Sequence, residues 1–309
     1  MVFSGLGRYS LLTLLAAGIG LAQQIDGRIQ GQVLDPTGAV VEGVEIIAEQ
    51  TDTGTVRRAD SGPEGLYAIP ALAPGAYTVS VSAEGFKTVQ TGPIALAIGD
   101  RINADFVLEI GPASETVIVS ASAWATEASD AAVGTVIPNR FVTSLPLNGR
   151  NFLHLSLLAP GSVPAAVGSP GSERGRFAFQ ANGARESANS FVYDGVYAID
   201  PILNSFSIVP PVDAVREFRI QTSNSEAGLG RNSGGQVVVA TKRGTNEWHG
   251  TAYEFLRNDR LDARNFFSRP DDPVPALRRN QYGASLGGPV AESGTFFFAN
   301  FEGLRETRA

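Results

Sequence analysis

The 309-residue sequence has no cysteine and only two histidines. Without cysteine there are no disulfides, thiolate metal sites or thiol nucleophiles. A zinc peptidase needs clustered His and Glu ligands with a general base. His154 and His249 are far apart in the chain, and neither begins a His-x-x-Glu motif. We therefore expect no enzyme activity, metal or cofactor, with His154 packed on a helix and His249 at an interface.

Basic residues are also fewer than acidic ones. The chain has 24 Lys and Arg against 31 Asp and Glu, a net charge of −7, and a pI near 5.0. This charge balance does not provide the excess of basic residues that a nucleic-acid-binding protein needs. Charged residues make up only 18%, while 35 glycines and 18 prolines are present. The composition predicts a turn-rich, mainly β chain.

No apolar run reaches the length of about 20 residues that a membrane-spanning helix needs. Residues 1–22 instead have the pattern of a cleaved signal peptide, with Arg8 before the apolar Leu11–Leu21 and a small-x-small site at Gly20–Ala22. A membrane anchor is the alternative, but the apolar run is short for one. We expect an exported chain that begins at Gln23, in which any membrane insertion comes from β-strands.

Residues 23–110 alternate between short apolar strands and turns at the spacing of a β-sandwich. Asp35–Gly38 has proline at the second position of a turn. The sequence Gly65-Leu-Tyr, Pro74-Gly-Ala-Tyr-Thr-Val and Ala83-Glu-Gly-Phe-Lys87 resembles the carboxypeptidase regulatory-like domain. That resemblance implies a transthyretin-like sandwich, related in layout to immunoglobulin domains.

Residues 123–245 have the pattern of a compact α+β unit. Pro138 is expected to open one short helix and Asn151 to cap a second, which would carry Phe152, Leu155 and Leu158 on one face. Phe191–Val196 predicts two strands around an Asp-Gly turn. Gln236–Ala240 predicts a strand that is buried on both faces.

Period-two alternation dominates residues 246–309. In Gln281–Val290 the apolar side chains lie on one face and the small polar ones on the other, and Thr295–Gly303 repeats this pattern. Trp248–Arg257 is a poorer third strand, because Glu254 shares a face with apolar residues. The pattern alone fits either an ordinary sandwich hairpin or membrane strands with an aromatic girdle.

The junction between these segments resembles that of TonB-dependent outer-membrane receptors, particularly the Oar-type branch with an extra N-terminal domain. The resemblance extends from about Gln30 to the last residue. Its longest motifs are Gly234–Asn258, Arg279–Pro289 and Phe296–Arg305. It implies a plug domain over residues 123–245 and the first strands of an outer-membrane β-barrel over residues 246–309. Plug-like motifs are Leu145–Asn151, Ala181–Arg185, Tyr193–Val196 and Val215–Phe218, whose polar side chains are expected to bind within the plug or to the barrel more often than to ligand.

The resemblance also gives a role to the linker, residues 111–122. A short strand in it resembles the TonB box, the segment that engages the energising TonB-type protein of the inner membrane by strand addition. The alternative is a plain edge strand of the sandwich. The predicted partner-binding residues are Glu115, Thr116, Val117, Ile118, Val119, Ser120 and Ala121.

Plugged barrels use about 22 strands, and the residues after Thr245 provide room for about three of about 9–11 residues each. We therefore expect the N-terminal part of a longer receptor, or a truncated secreted protein that carries a plug. The implied partners are a TonB-type protein, outer-membrane lipid and an unidentified small molecule, oligosaccharide or peptide. The alternative function is a secreted or periplasmic binding module for carbohydrate or protein, without transport.

Overall fold

The computed structural model describes residues 26–120, 132–166, 168–169, 177–200, 206–225, 229, 232–263, 267, 269, 275–291 and 294–308. The predicted signal peptide, Ala121 and most of the expected boundary between linker and plug lie outside these residues. We call residues 26–120 the sandwich, residues 132–245 the middle domain and residues 249–308 the C-terminal sheet.

The sandwich contains β1 to β10. In chain order they are β1 Gly27–Leu34, β2 Glu45–Gln50, β3 Val56–Asp60, β4 Leu66–Leu72, β5 Gly75–Ser82, β6 Thr88–Thr91, β7 Ile94–Leu96, β8 Arg101–Asn103, β9 Phe106–Val107 and β10 Thr116–Val119. One sheet has the order β4-β1-β8, with β9 also paired to β1. The other has the order β10-β6-β5-β2-β3, with β7 also paired to β5.

Alternating side chains from the two sheets form the sandwich core. Along β5 every second residue is buried, including Val79 and Val81. Tyr67 is also buried, and its hydroxyl donates a hydrogen bond of 2.6 Å to the carbonyl oxygen of Ala104. The period-two pattern is what brings these apolar side chains to one face.

The middle domain is built on one sheet of order β11-β16-β17-β14-β15. Its strands, with the separate pair β12–β13, are β11 Val133–Pro138, β12 Ser162–Pro164, β13 Phe179–Ala181, β14 Ser190–Tyr193, β15 Val196–Tyr197, β16 Val215–Ser223 and β17 Gln236–Thr241. β17 is buried along Gln236–Ala240, as predicted. Asp194 and Gly195 have φ values of 45° and 83° and form the expected tight turn between β14 and β15.

Helices contribute less to the middle domain than the predicted α+β unit implied. The described part has one α-helix, α1 Asn139–Ser144, and the 3₁₀ turns Asn148–Arg150, Phe152–Leu158, Glu186–Ala188 and Val212–Ala214. The Asn151 side chain caps Phe152–Leu158 by accepting a hydrogen bond from the Leu153 amide. Leu158 was predicted to share the apolar face but is 58% exposed. Three residues per turn place Leu158 in line with Phe152 and Leu155, so the helical period does not account for its exposure; Leu158 is the last residue of the element.

The C-terminal sheet has the order β18-β19-β20, with β18 His249–Asn258, β19 Leu277–Ala291 and β20 Thr295–Arg308. All pairs are antiparallel. The face turned away from the middle domain exposes Leu256, Leu286, Val290 and Phe301. The predicted alternation thus holds in the structure. Among the described residues, no helix is long and apolar enough to cross a membrane.

Candidate functional site: contacts of the middle domain with its neighbours

Arg150 anchors the middle domain to the C-terminal sheet. Its Nη2 atom lies 2.6 Å from Oδ2 of Asp213, and both side chains are largely buried. The guanidinium also lies over two rings of β18, at 3.8 Å from the centroid of Phe255 and 5.0 Å from that of Tyr253. A guanidinium stacks well on aromatic faces while it binds a carboxylate. One side chain therefore joins the two units.

Arg150 belongs to the plug-like motif Leu145–Asn151, and its neighbours make similar contacts. Arg279 of β19 donates a hydrogen bond of 3.0 Å to the Gly149 carbonyl oxygen. Gly149 has φ of 68°, and a Cβ there would lie 2.9 Å from Nη1 of Arg279. Arg257 of β18 reaches the Asn148 amide oxygen at 3.3 Å. The structure thus places this motif against the C-terminal sheet, in line with the expectation for plug side chains.

Two other plug-like motifs make bonds inside the middle domain. The Asp194 carboxylate accepts hydrogen bonds from the amide and hydroxyl of Thr241, at 2.9 and 2.7 Å. The Asn182 side-chain amide donates to the Thr222 carbonyl oxygen at 2.8 Å. These polar side chains position the strands that lead into β18.

Both histidines pack against aromatic rings. His154 lies in the 3₁₀ turn Phe152–Leu158 with its ring 4.2 Å from that of Phe177, and burial lowers its pKa. His249 begins β18 and stacks on Phe298. Within the described residues no group of three or more His, Asp or Glu side chains is arranged to hold a metal ion.

The backbone of Ile98 connects the sandwich to the middle domain through hydrogen bonds to Glu217 and Arg219, a contact that we call the latch. Its amide donates a hydrogen bond of 2.5 Å to Glu217, and its carbonyl oxygen accepts one of 2.8 Å from Arg219. Arg219 also forms an ion pair of 3.2 Å with Asp100. The Ile98 side chain is buried in a small apolar cluster with Val238 and others. No local pattern predicts this contact, because Ile98 and Glu217 are 119 positions apart.

Glu217 makes this latch sensitive to pH. Burial raises its pKa above the ordinary value of 4.5, although the hydrogen bond from Ile98 acts in the opposite direction. The folded state therefore keeps this proton to higher pH than the unfolded state does. Stability contributed by the protonated form is complete below about pH 4.5 and is lost as pH rises through the raised folded pKa.

We accordingly expect Glu217→Gln to flatten the fall in unfolding free energy above about pH 4.5. Denaturant unfolding of both proteins in detergent, between about pH 4 and 8, measures this difference. Glu254→Gln is a suitable control, because Glu254 is exposed on β18. Identical pH slopes in wild type and Glu217→Gln would contradict the assignment.

The predicted partner-binding segment is the edge strand of the sandwich. β10 pairs in parallel with β6, with Val117 opposite Val89. Thr88 and Gly92 donate their amides to the carbonyl oxygens of Glu115 and Val119. The edge-strand alternative therefore describes the observed structure of Thr116–Val119, and a role in partner binding must be exerted from this position.

The backbone of β10 presents two different edges. In a strand the N–H and C=O of one residue point to the same side, and the next residue points to the other. Glu115 and Val119 face β6, so Val117 does as well, whereas Thr116 and Ile118 face outward. No strand in the described part of the chain pairs with that outer edge. Ile118 is 76% exposed there.

Lys87 holds the start of this strand. Its Nζ atom lies 3.2 Å from Glu115 and 3.4 Å from Glu109. The hydrogen bond to Glu115, followed by that to Glu109, raises the pKa of Lys87. The Thr88 hydroxyl adds a hydrogen bond of 2.8 Å to the Ala113 carbonyl oxygen. The chain before β10 is thus tied to the sandwich by several contacts.

Comparison with known proteins identifies domains at both ends. Residues 28–109 match the carboxypeptidase regulatory-like domain, and residues 240–309 match the outer membrane beta barrel domain. Over 252 residues the chain is 25% identical to the TonB-dependent transporter Oar of Myxococcus xanthus, which covers 77% of this chain and 23% of Oar.

Two solved structures give weaker matches. The siderophore receptor PirA from Acinetobacter baumannii has a TM-score of 0.42 at 18% identity, covering 57% of this chain and 24% of PirA. A dioxygenase domain from Streptomyces sp. SirexAA-E has a TM-score of 0.23 at 15% identity, covering 30% of this chain and 84% of that one.

The match to Oar and the two domain matches confirm several expectations from the sequence. The fold is mainly β, and the relative that covers most of the chain is a transporter and not an enzyme. The barrel match assigns residues 240–309 to a membrane domain rather than to an ordinary sandwich hairpin. The chain is therefore an outer-membrane homologue of the TonB-dependent transporter Oar, in which a carboxypeptidase regulatory-like domain precedes the beginning of an outer membrane beta barrel domain.

Proposed function

We propose that this chain is the N-terminal part of a TonB-dependent receptor that takes up a substrate actively across the outer membrane. The observation that carries this proposal is the placement of the middle domain against the face of the C-terminal sheet that carries Arg257, Arg279 and Gln281. Arg150 and the Gly149 carbonyl contact β18 and β19 on that face, while the opposite face exposes leucine, valine and phenylalanine. A plug inside a barrel requires this arrangement, with polar residues inside and apolar ones toward lipid.

The middle domain serves as the plug in this proposal, and residues 115–121 couple it to a TonB-type protein. Within the described residues, the backbone groups of Thr116 and Ile118 on the outward edge of β10 are unpaired, which suits strand addition. The latch at Ile98 joins the sandwich that carries β10 to the plug sheet. Force applied to β10 would therefore reach the plug through the sandwich as well as along the chain.

Uptake tests the proposal directly. Cells that express the full-length protein are given labelled ferric chelates, oligosaccharides and peptides, with and without a functional TonB-type protein. We expect at least one compound to accumulate only when both proteins are present and the protonmotive force is intact. Accumulation that is unaffected by loss of the TonB-type protein would contradict active transport. Binding to cells without any accumulation would instead favour a binding module.

A further inference from the structure

A cleft of about 520 Å³ lies where the sandwich, the middle domain and the C-terminal sheet meet. Four cationic side chains line it: Arg57 of β3, Arg216 of β16, and Lys242 and Arg243 just after β17. Two carboxylates, Asp26 and Asp52, also line it. The cleft therefore carries an excess of positive charge in a chain whose net charge is −7.

The cations are available to a ligand. In the described part of the chain no carboxylate lies within ion-pair distance of any of these four side chains, although Arg58 next to Arg57 pairs with Glu45 at 3.5 Å. The Arg216 side chain extends from the middle domain toward the sandwich, so that Nη2 lies 3.5 Å from where a Cβ on Gly75 would be. Lys242 is half-buried, and burial lowers its pKa.

The wall of the cleft also includes aromatic residues. Tyr77 lies at the bottom, 3% exposed, and Phe296, Phe297 and Phe298 of β20 line one side. Residues 292–294 separate β19 from β20, whereas the longer segment 259–276 separates β18 from β19. Short turns of outer-membrane barrels face the periplasm. The phenylalanines follow the short connection, so in an outer-membrane barrel the cleft would lie at the periplasmic end.

We propose that this cleft binds a phosphate-bearing anion, with the headgroup of an anionic phospholipid and a soluble phosphate compound as its two possible sources. An arginine guanidinium can donate two parallel hydrogen bonds to two oxygens of a phosphate, and the Lys242 ammonium adds a compact positive charge. The phenylalanines would contact the glycerol and acyl portion of a lipid. This inference uses the outer-membrane location, but it does not depend on transport, so binding and uptake can fail separately.

Calorimetric titration of the full-length protein in non-ionic detergent tests the proposal. The probes are dihexanoyl phosphatidylglycerol, dihexanoyl phosphatidylcholine and glycerol 3-phosphate. We expect phosphatidylglycerol to bind more tightly than phosphatidylcholine, and Arg57→Gln/Arg216→Gln to weaken that binding about ten-fold or more. Arg58→Gln, the matched control on β3, should leave the affinity unchanged. If the affinity for glycerol 3-phosphate falls as much in Arg57→Gln/Arg216→Gln as the affinity for phosphatidylglycerol does, the source is a soluble phosphate compound.

A single exposed substitution guards against misfolding of the double variant. Arg57 lies on the surface of β3, so Arg57→Glu should fold with an unchanged melting temperature and still weaken binding of phosphatidylglycerol. Equal binding of both lipids overturns the proposal, as does an equal loss in Arg58→Gln. The proposal is also overturned if a glutamate-rich peptide binds while phosphatidylglycerol and glycerol 3-phosphate do not, since the cleft would then be a protein-docking site.

Discussion

Replacing Ile118 with proline is expected to lower the affinity of the full-length protein for the periplasmic domain of a TonB-type protein about 30-fold or more. The Ile118 N–H lies on the outward edge of β10, where an added strand would accept its hydrogen bond. Proline removes this donor and its ring obstructs the ladder. Loss of one ladder bond with a steric clash costs about 2 kcal/mol, which corresponds to that change in affinity. Calorimetry or surface plasmon resonance measures it.

Val117→Pro is the matched control, because the Val117 N–H faces β6. It should loosen β10 from the sandwich and lower the melting temperature, while a smaller part of the partner affinity is lost. Ile118→Ala keeps the N–H and should cost only the contribution of the side chain. If Val117→Pro abolishes binding and Ile118→Pro does not, the partner does not use the outward edge of docked β10.

The alternation of side chains along Glu115–Ala121 does not reveal which backbone edge is free. In the structure the backbone groups of Val117 and Val119 face β6, and Val119 packs against the sandwich core. Edge orientation depends on the neighbouring strand, which pairs with β10 from about 28 positions earlier in the chain.

Features that depend on local chemistry were predictable. The turn at Asp194 and Gly195 requires positive φ at both positions, which Asn, Asp and Gly adopt most readily. The two faces of β19 follow directly from period two, with Gln281 and Ser285 buried and Leu286 exposed. These signals are contained in short segments and do not need knowledge of the partner strand.

Contacts between distant segments were not predictable in the same way. The latch at Ile98 combines a turn of the sandwich with Glu217 and Arg219 of β16. The basic cleft combines side chains from β3, β16 and the segment after β17. Each residue alone resembles an ordinary surface charge, and only the docking of the domains brings the charges together. Arg150 is intermediate, because its motif was recognisable but its aromatic partners were not.

Replacement of Arg150 by alanine is expected to lower the free energy of unfolding by about 3 kcal/mol. The substitution removes the partner of a largely buried carboxylate, Asp213, and such losses cost about 3–5 kcal/mol. Lys242 interacts electrostatically with Asp213 and would offset part of this cost. The stacking on Phe255 and Tyr253 is lost as well, at about 0.5–2 kcal/mol.

Denaturant unfolding of the full-length protein in detergent, followed by the fluorescence of Trp248, measures this loss. Trp248 lies beside β18 and packs against Phe297 at 5.5 Å between ring centroids, so its emission reports on the sheet.

Arg140→Ala is the matched control, because Arg140 stacks on Phe141 at the exposed surface, where such a contact contributes little. Arg150→Lys keeps the charge but not the planar fork, and should lose part of the stability. In Asp213→Asn a neutral amide replaces the buried carboxylate. Replacing Arg150 in this variant should therefore cost clearly less stability than replacing Arg150 in the wild type. Additive losses in the double variant would show that Arg150 does not act through Asp213.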